Sequence, residues 1–541
     1  MKNIFIFAQV FISFCFFSQN PIVLNQKVIG GSSNDSGGNR LFDPTSSDYF
    51  LICQSSSNIS GDKSENSRGL DDLWIIKLDQ NNNILWDKTI GGDNYDWHRS
   101  SLILNDKIYI LSNSLSGISG EKTIDNYSSG LGDYWLICLD LGGNILWQQV
   151  YGGNGEESPN ALIPLSNGNL CLSGLSQSDI SGNKTENSKG GNDFWILEVN
   201  PLNGSILQQK TIGSTQDEAF NFVFLNSNDE LLLMGVSPTG ASADKSDVGY
   251  GSDDIWIVKL DNNFSILDDK CFGGNGNEWG GGGYIIEDNN NYFVYCSSDS
   301  DISGNKTSIN HYSGSGFYYP DLWLIKIDIA LNIIWDKSFG GTYMDYSGLI
   351  SKHSFNKLLL SGTSYSGVNG NKTSPQFGDA DIWMLILDID GNIVTQETYG
   401  GTLADIGSFL PDPNDQSKLR LHAVSSSGVT GTKSLPSKGG YDIWLNELDA
   451  SSFLSTESLD QANSTISVYP NPFEDKVFFE FKNLQENVTL TIYNLDGRII
   501  DSININQSEF IFELNSSLSN QVLIYAIKGD KFKYCGKLLP N

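Results

Sequence analysis

The chain reads as short apolar runs separated by clusters of Gly, Ser, Asn and Asp, and one order of runs keeps returning. Residues 71–92, DDLWIIKLDQNNNILWDKTIGG, place two strand-length runs on either side of an Asn-rich turn. Residues 132–153, GDYWLICLDLGGNILWQQVYGG, spell the same pattern. Runs of this length, alternating or continuous and bounded by turn residues, predict β-strands. No run has helical periodicity of any length.

A fuller unit contains four such runs. NILWDKTIGG is followed by SSLILND and KIYILSNS, which form a hairpin across an Asn-Asp turn. A loop of Gly, Ser and Asn comes next, and DYWLICLD is the fourth run. The D-x-W element occurs seven times, with Trp74, Trp135, Trp195, Trp256, Trp323, Trp383 and Trp444 spaced by 61, 60, 61, 67, 60 and 61 residues. A Gly pair or its remnant keeps the same beat, from Gly30–Gly31 to Gly400–Gly401, with Gly213–Ser214 as the remnant. Four residues beyond each pair stands a carboxylate: Asp35, Asp96, Glu157, Glu218, Glu278, Asp345 or Asp405. A Lys before Ser or Thr marks each long loop, at 63, 122, 184, 245, 306, 372 and 433.

Fixed periods of this size belong to repeat architectures. Four strands per unit, seven times over, predict an all-β fold: a seven-bladed β-propeller over residues 21–449. A β-solenoid is the competitor, but its coils are usually shorter. A blade cannot bury both faces alone, so the recurring Trp is expected to wedge between blades. A fully buried Trp removes about 150–250 Å² from water, an upper bound of roughly 4–6 kcal/mol. Trp86, Trp147 and Trp335 mark a second aromatic position in some units. The last unit ends at YDIWLNELD without its NILW-type run, and PIVLNQKVIGG at residues 21–31 supplies one. Residues 22–29 are therefore expected to pair with Asp442–Asp449 and close the ring.

Composition agrees with short strands and tight turns: 56 Gly, 11 % aromatic and 39 % hydrophobic residues in 541. The net charge of −31 disfavours nucleic acid and anionic lipid as partners. It reads as a solubilising surface rather than as a cation collector. Residues 1–20, MKNIFIFAQVFISFCFFSQN, read as a Sec-type signal peptide cleaved near Ser18 to Asn20. No later segment is long and apolar enough for a membrane helix. Cys15 lies in this leader. The other six cysteines form no C-x-x-C pair, and Cys53, Cys138, Cys171 and Cys296 fall in apolar runs, so buried free thiols are expected, with one or two bridges as the alternative.

After Asp449 the beat stops. Residues 450–465 read as a polar linker, and residues 466–541 as a small all-β domain with strand-like KVFFEF, VTLTIYNL, RIIDSI, FIFEL and LIYAIKG. This segment resembles the type A C-terminal sorting domain of the Bacteroidetes type IX secretion system. The resemblance rests on Tyr469-Pro470-Asn471-Pro472-Phe473, on Tyr493 to Gly497-Arg498, and on the tail from Tyr525 to Lys537. It implies a β-sandwich read by the type IX machinery, and delivery through the periplasm to the cell surface or the medium. The tail departs from the pattern at Gln521–Tyr525 and in ending with Pro-Asn.

Candidate chemistry is sparse. The loop lysines lack the spacing and strand-to-helix context of a phosphate-binding loop and are expected to make contacts inside a blade. The seven carboxylates are expected to cap turns or pair with a blade Lys or backbone amide, with cation binding as the alternative. LDQNNN at 78–83 and LDIDGN at 387–392 lack full calcium-loop spacing, leaving calcium as a weak prospect and no cofactor implied. The four histidines, His98, His311, His353 and His422, sit in different units without H-E-x-x-H, and no G-x-S-x-G elbow stands out. No catalytic residue or metal ligand is singled out.

The near equality of the units favours a non-enzymatic binding or adhesion scaffold whose irregular loops meet a surface glycan or a protein. The candidate loops are Thr123–Gly132 and the insertion Ser308–Pro320, with His311, Tyr312, Phe317, Tyr318 and Tyr319. The rival reading is a glycan-active hydrolase or lyase with carboxylates at the channel mouth, about 5–9.5 Å apart. A passive surface-layer component is a third.

Overall fold

The computed structural model describes residues 22–238, 240–312, 319–353, 356–451, 466–469, 476–481, 488–494, 499–513, 523–528 and 533–538. Contacts divide the chain into Met1–Ser451 and Ser452–Asn541. Residues 1–20, expected to be a signal peptide, and all but the first two residues of the expected linker 450–465 lie outside the described residues.

The described strands of the first unit form seven four-stranded antiparallel sheets. In one sheet the order is Asp96–Leu104, Lys107–Ser114, Asp133–Asp140 and Ile145–Tyr151. The D-x-W strand is thus third, and the NILW-type run after it is the fourth strand of the same sheet. The first strand starts earlier than its apolar run, at the carboxylate Asp96, and a bulge between His98 and Ser100 separates the two parts. Polar residues hide that strand start from a hydrophobicity pattern.

Each first strand touches the first strands of the neighbouring sheets, from Asp35–Phe42 round to Asp405–Pro411. Asp35–Phe42 also meets Lys418–Ser425 and Asp442–Asp449 of the last sheet, so the sheets form a closed propeller. The closing strand is Ile22–Ile29, antiparallel to Asp442–Asp449 from Ile22↔Asp449 to Ile29↔Ile443. Among the described residues, no helix is long and apolar enough to cross a membrane.

The seven D-x-W tryptophans are fully buried. Trp74 packs with Ile29, Ile443 and Leu445 of the preceding sheet, and Trp135 with Phe50, Ile52 and Ile75. Each indole is a wedge between sheets because the third strand is covered on both faces. In six sheets its Nε1–H is satisfied on the fourth strand, as Trp256 donates to Asp269 at 2.9 Å and Trp135 to Gln148 at 3.1 Å. Trp86, Trp147 and Trp335 press against the turn glycines Gly143, Gly204 and Gly391 of the next sheet. There φ of +70° to +76° and a missing Cβ make room. Cys53, Cys138, Cys171, Cys271 and Cys296 are buried and free.

In the second unit, a three-stranded sheet (Ile466–Tyr469, Lys476–Phe481, Glu509–Glu513) and a four-stranded one share a core. Val477, Phe479 and Phe481 of the first sheet cluster with Leu490, Ile492 and Tyr525 of the second, a small β-sandwich.

Candidate functional site

The repeated carboxylates are consumed by turns. Each accepts the backbone N–H of the second member of its Gly pair, at 2.6–3.3 Å, from Gly31→Asp35 to Gly401→Asp405. Serine hydroxyls add further donors, as Ser116 does to Asp96 at 2.8 Å. All seven are buried. They neither project into a channel mouth nor form an accessible pair, and no group of three or more potential metal ligands occurs among the described residues.

The D-x-W aspartates are their counterparts across each seam. Oδ2 caps the preceding loop, as Tyr250 N–H donates to Asp254 at 2.7 Å. Oδ1 is sealed without a hydrogen-bond partner in all seven: Asp72, Asp133, Asp193, Asp254, Asp321, Asp381 and Asp442. It lies over the first glycine of the pair, where the next sheet's carboxylate also arrives; a Cβ on Gly273 would fall 1.9 Å from Asp254 Oδ1 and 2.4 Å from Glu278 Oε2. On either side of these seams, burial and then the facing acid push up Asp133 strongly, Glu278 and Asp345 to about 7, and Asp381 to about 6.

The loop lysines are also interior. Lys122 Nζ donates to Ser114 Oγ at 2.8 Å and to the Ser116 carbonyl at 2.6 Å, and sits 5.5 Å from the Trp135 ring centroid. Burial lowers Lys122 and Lys372 to about 8, against the pull of Asp96 and Asp345 respectively. They brace each sheet from within. The Asp79 and Asp388 carboxylates are likewise engaged within their own turns. Asp79 accepts from the N–H groups of Asn81 and Asn83 and from the Asn83 amide, and Asp388 from Asp390 and Asn392, leaving the loops closed on themselves.

The insertion at 308–320 is where the repeat departs most. Phe317 and Tyr318 lie outside the described residues. His311 is held inward: its N–H donates to Asp321 Oδ2 at 2.7 Å, and its ring Nδ1 is 2.9 Å from the same atom. Tyr312 meets Tyr319 edge-on at 4.9 Å, and Tyr319 lies 6.1 Å from Tyr343, which is 55 % exposed. Tyr346, in the strand Asp345–His353, packs on Tyr365 at 6.4 Å. The Thr123–Gly132 loop binds mainly itself and its own sheet: Tyr127 N–H caps Asp133, and Asn126 donates to the Ser114 and Leu131 carbonyls.

Two features escape the periodicity. Trp97, Trp279 and Tyr346 follow their carboxylates directly, and Trp97 stacks on Tyr95 at 4.9 Å. The second is a cavity of about 460 Å³ among the first strands of the propeller, lined by Gly37, Arg40, Tyr284, Leu349, Ile406 and His422 among others. The visible sequence signal for it is glycine within first strands, as in DSGGNR and DIGS.

Of the sorting residues, Tyr469 is exposed and stacks on Phe478 at 5.6 Å, and Tyr493 ends its strand. Lys537 lies in the last strand, Lys533–Leu538. Pro470, Asn471, Pro472, Gly497 and Arg498 lie outside the described residues.

Residues 467–539 match the family described as secretion system C-terminal sorting domain. The chain therefore carries a type IX sorting domain, which sends it through the periplasm to the cell surface or outer membrane. No curated protein matches the chain. Among solved structures, the chain is similar to polysaccharide lyase Uly1 (6 % identity, TM-score 0.42, 78 % of this chain and 91 % of that one). It is also similar to a puromycin hydrolase (10 %, 0.42, 92 % and 60 %). A third is PorZ, a surface component of the type-IX secretion system of Porphyromonas gingivalis (12 %, 0.29, 96 % and 75 %).

Proposed function

We propose that this secreted propeller is a non-enzymatic binding or adhesion scaffold, and that it meets a surface glycan or protein through the insertion at 308–320. The observation that carries the proposal is the tyrosine chain Tyr312–Tyr319–Tyr343, which ends in an exposed ring at the one large departure from the repeat. Aromatic rings present broad apolar faces with a polar tip, suited to sugar rings and to protein contacts. The capped, buried state of the repeated carboxylates supports binding over carboxylate catalysis.

The test is a glycan and protein array probed with the mature protein. A specific ligand is expected, lost on deletion of 308–320 and weakened by Tyr343→Ala. Binding that survives both changes removes this site. Release of sugar fragments from a polysaccharide panel would instead favour the hydrolase or lyase reading.

A further inference from the structure

The units are not equal around the axis. At the second and third positions after the repeated carboxylate, three consecutive sheets carry His98-Arg99, Pro159-Asn160 and Phe220-Asn221. The other four carry Gly280-Gly281, Ser347-Gly348, Gly407-Ser408 and Gly37-Gly38. These four are contiguous around the ring, and the cavity of about 460 Å³ lies against their first strands. Gly38 could carry no other side chain there: φ is +102°, and a Cβ would fall 1.9 Å from the Ile52 carbonyl oxygen. The cavity thus lies where glycine-rich first strands press close to their own second strands, and its volume suits a small ligand.

Its chemistry departs from the rest of the chain. In a protein of net charge −31, the lining contains Arg40 and His422 and not one Asp or Glu. Arg40 donates to the Asn82 side chain, while its Nε is sealed without a partner. Among the described residues no carboxylate pairs with it, although the neighbouring Arg420 pairs with Asp412. Both guanidinium groups lie over the Tyr49 ring, at 4.3 and 4.2 Å. Burial and Arg420 lower Arg40 to about 9, against the longer-range pull of Asp412 and Glu447, so it stays cationic at neutral pH. A cation in such a wall is costly without a counter-charge, and a guanidinium is shaped to hold carboxylate or sulfate oxygens. His422 is held neutral by burial and by Arg40, leaving it as a hydrogen-bonding group beside Ser408.

We propose that this channel cavity binds a small organic anion, a carboxylate or sulfate ester on an apolar body. The anionic group sits on Arg40, with the body against Tyr284, Leu349, Ile406 and Leu410. This site is separate from the tyrosine chain of the insertion and does not depend on it.

The test titrates 2-naphthoate and its uncharged analogue 2-naphthamide into the full chain by calorimetry. Saturable one-to-one binding of naphthoate is expected, at least about tenfold tighter than the amide, the difference made by one charge-assisted contact. Arg40→Met should erase that preference. Because Arg40 also packs on Tyr49, Leu349→Trp serves as a second variant; it fills the cavity from a half-buried position and should abolish binding with the melting temperature preserved. Equal affinity for acid and amide, no saturable naphthoate binding at millimolar concentration, or unchanged binding in a folded Leu349→Trp protein overturns the proposal.

Discussion

The carboxyl group of Asp254 in one sheet meets that of Glu278 in the next over the bare α-carbon of Gly273. Asp254 Oδ1 has no donor, and both groups are buried, so one proton between them is cheaper than two charges. Facing acids recur as Asp133–Glu157, Asp193–Glu218, Asp321–Asp345, Asp381–Asp405 and Asp442–Asp35. Folded carboxyls raised to about 6–7 at Asp381, Glu278 and Asp345 hold protons that the unfolded chain has already released. Stability therefore falls as pH rises from about 5 to about 8, by an amount on the order of a few kcal/mol. Lys122 and Lys372, lowered to about 8, act oppositely above that pH, where the unfolded chain binds more protons. Below about 6 the buried His98 and His422, held to about 3 and 4, oppose folding as they charge in the unfolded state. Urea midpoints measured across this range should peak on the acid side of neutrality. Glu278→Gln, a permanently neutral partner that can donate to Asp254, should flatten the slope and exceed the native protein in stability at about pH 8. A midpoint that climbs steadily from pH 5 to 8 contradicts the shared proton.

The same seam makes the glycine pair intolerant of any side chain. A methyl group on Gly273 would overlap both carboxyls, and neither can retreat because each also caps a turn. Gly273→Ala should cost about 1–3 kcal/mol or more. Gly428, with open space around its α-carbon and no positive φ, is the matched control, and Gly428→Ala should lie within about 0.5 kcal/mol of the native protein. Equal effects at the two sites in denaturant titrations would remove the steric account.

Ring closure depends on eight residues far from their partners in sequence. Val28 and Ile29 are buried, and Gln26 ties the strand to the last long loop through the Thr432 carbonyl (2.7 Å) and Ser434 N–H (2.8 Å). Removing residues 22–29 opens one edge of the Asp442–Asp449 strand and uncovers Ile443 and Trp444. An exposed strand edge seeks another chain. The truncated protein should melt at least about 5 °C lower and associate in a concentration-dependent way, read by calorimetry and light scattering. Native-like melting as a monomer would show that closure contributes nothing.

Periodicity made the propeller legible because sheet packing repeats the same demand at each seam: a Trp wedge, a bare glycine, a buried acid. The closing strand could be read because Ile22–Ile29 spells the run that the last unit lacks. The strand starts at Asp96 and its equivalents were hidden, since their residues bond to turns rather than to an apolar core. The facing partners of the acids were hidden too. Asp254 and Glu278 are both visible as repeat marks, but only the fold brings marks of adjacent units together. The cavity leaves no apolar signature, because its lining mixes the glycines Gly37, Gly38 and Gly407 with residues of several separate first strands. For His311 the sequence offered an aromatic ring in a loop; the structure turns it onto Asp321, a D-x-W acid, where it substitutes for ordinary loop donors.

Export should separate from folding. The sorting sandwich has its own core of Val477, Phe479, Leu490, Ile492 and Tyr525, while the propeller closes on its own N-terminal strand. A chain ending at residue 451 should therefore keep its cooperative melt, with a transition within about 3 °C of that of the propeller in the full protein. In a type IX-competent host the same truncated chain should accumulate in the periplasm, whereas the full chain reaches the surface, since residues 467–539 carry the sorting match. Immunoblots of periplasmic, surface and medium fractions read this directly. Surface delivery without residues 466–541 would mean that the export signal lies in the propeller, and loss of the melt would mean that the two units do not fold independently.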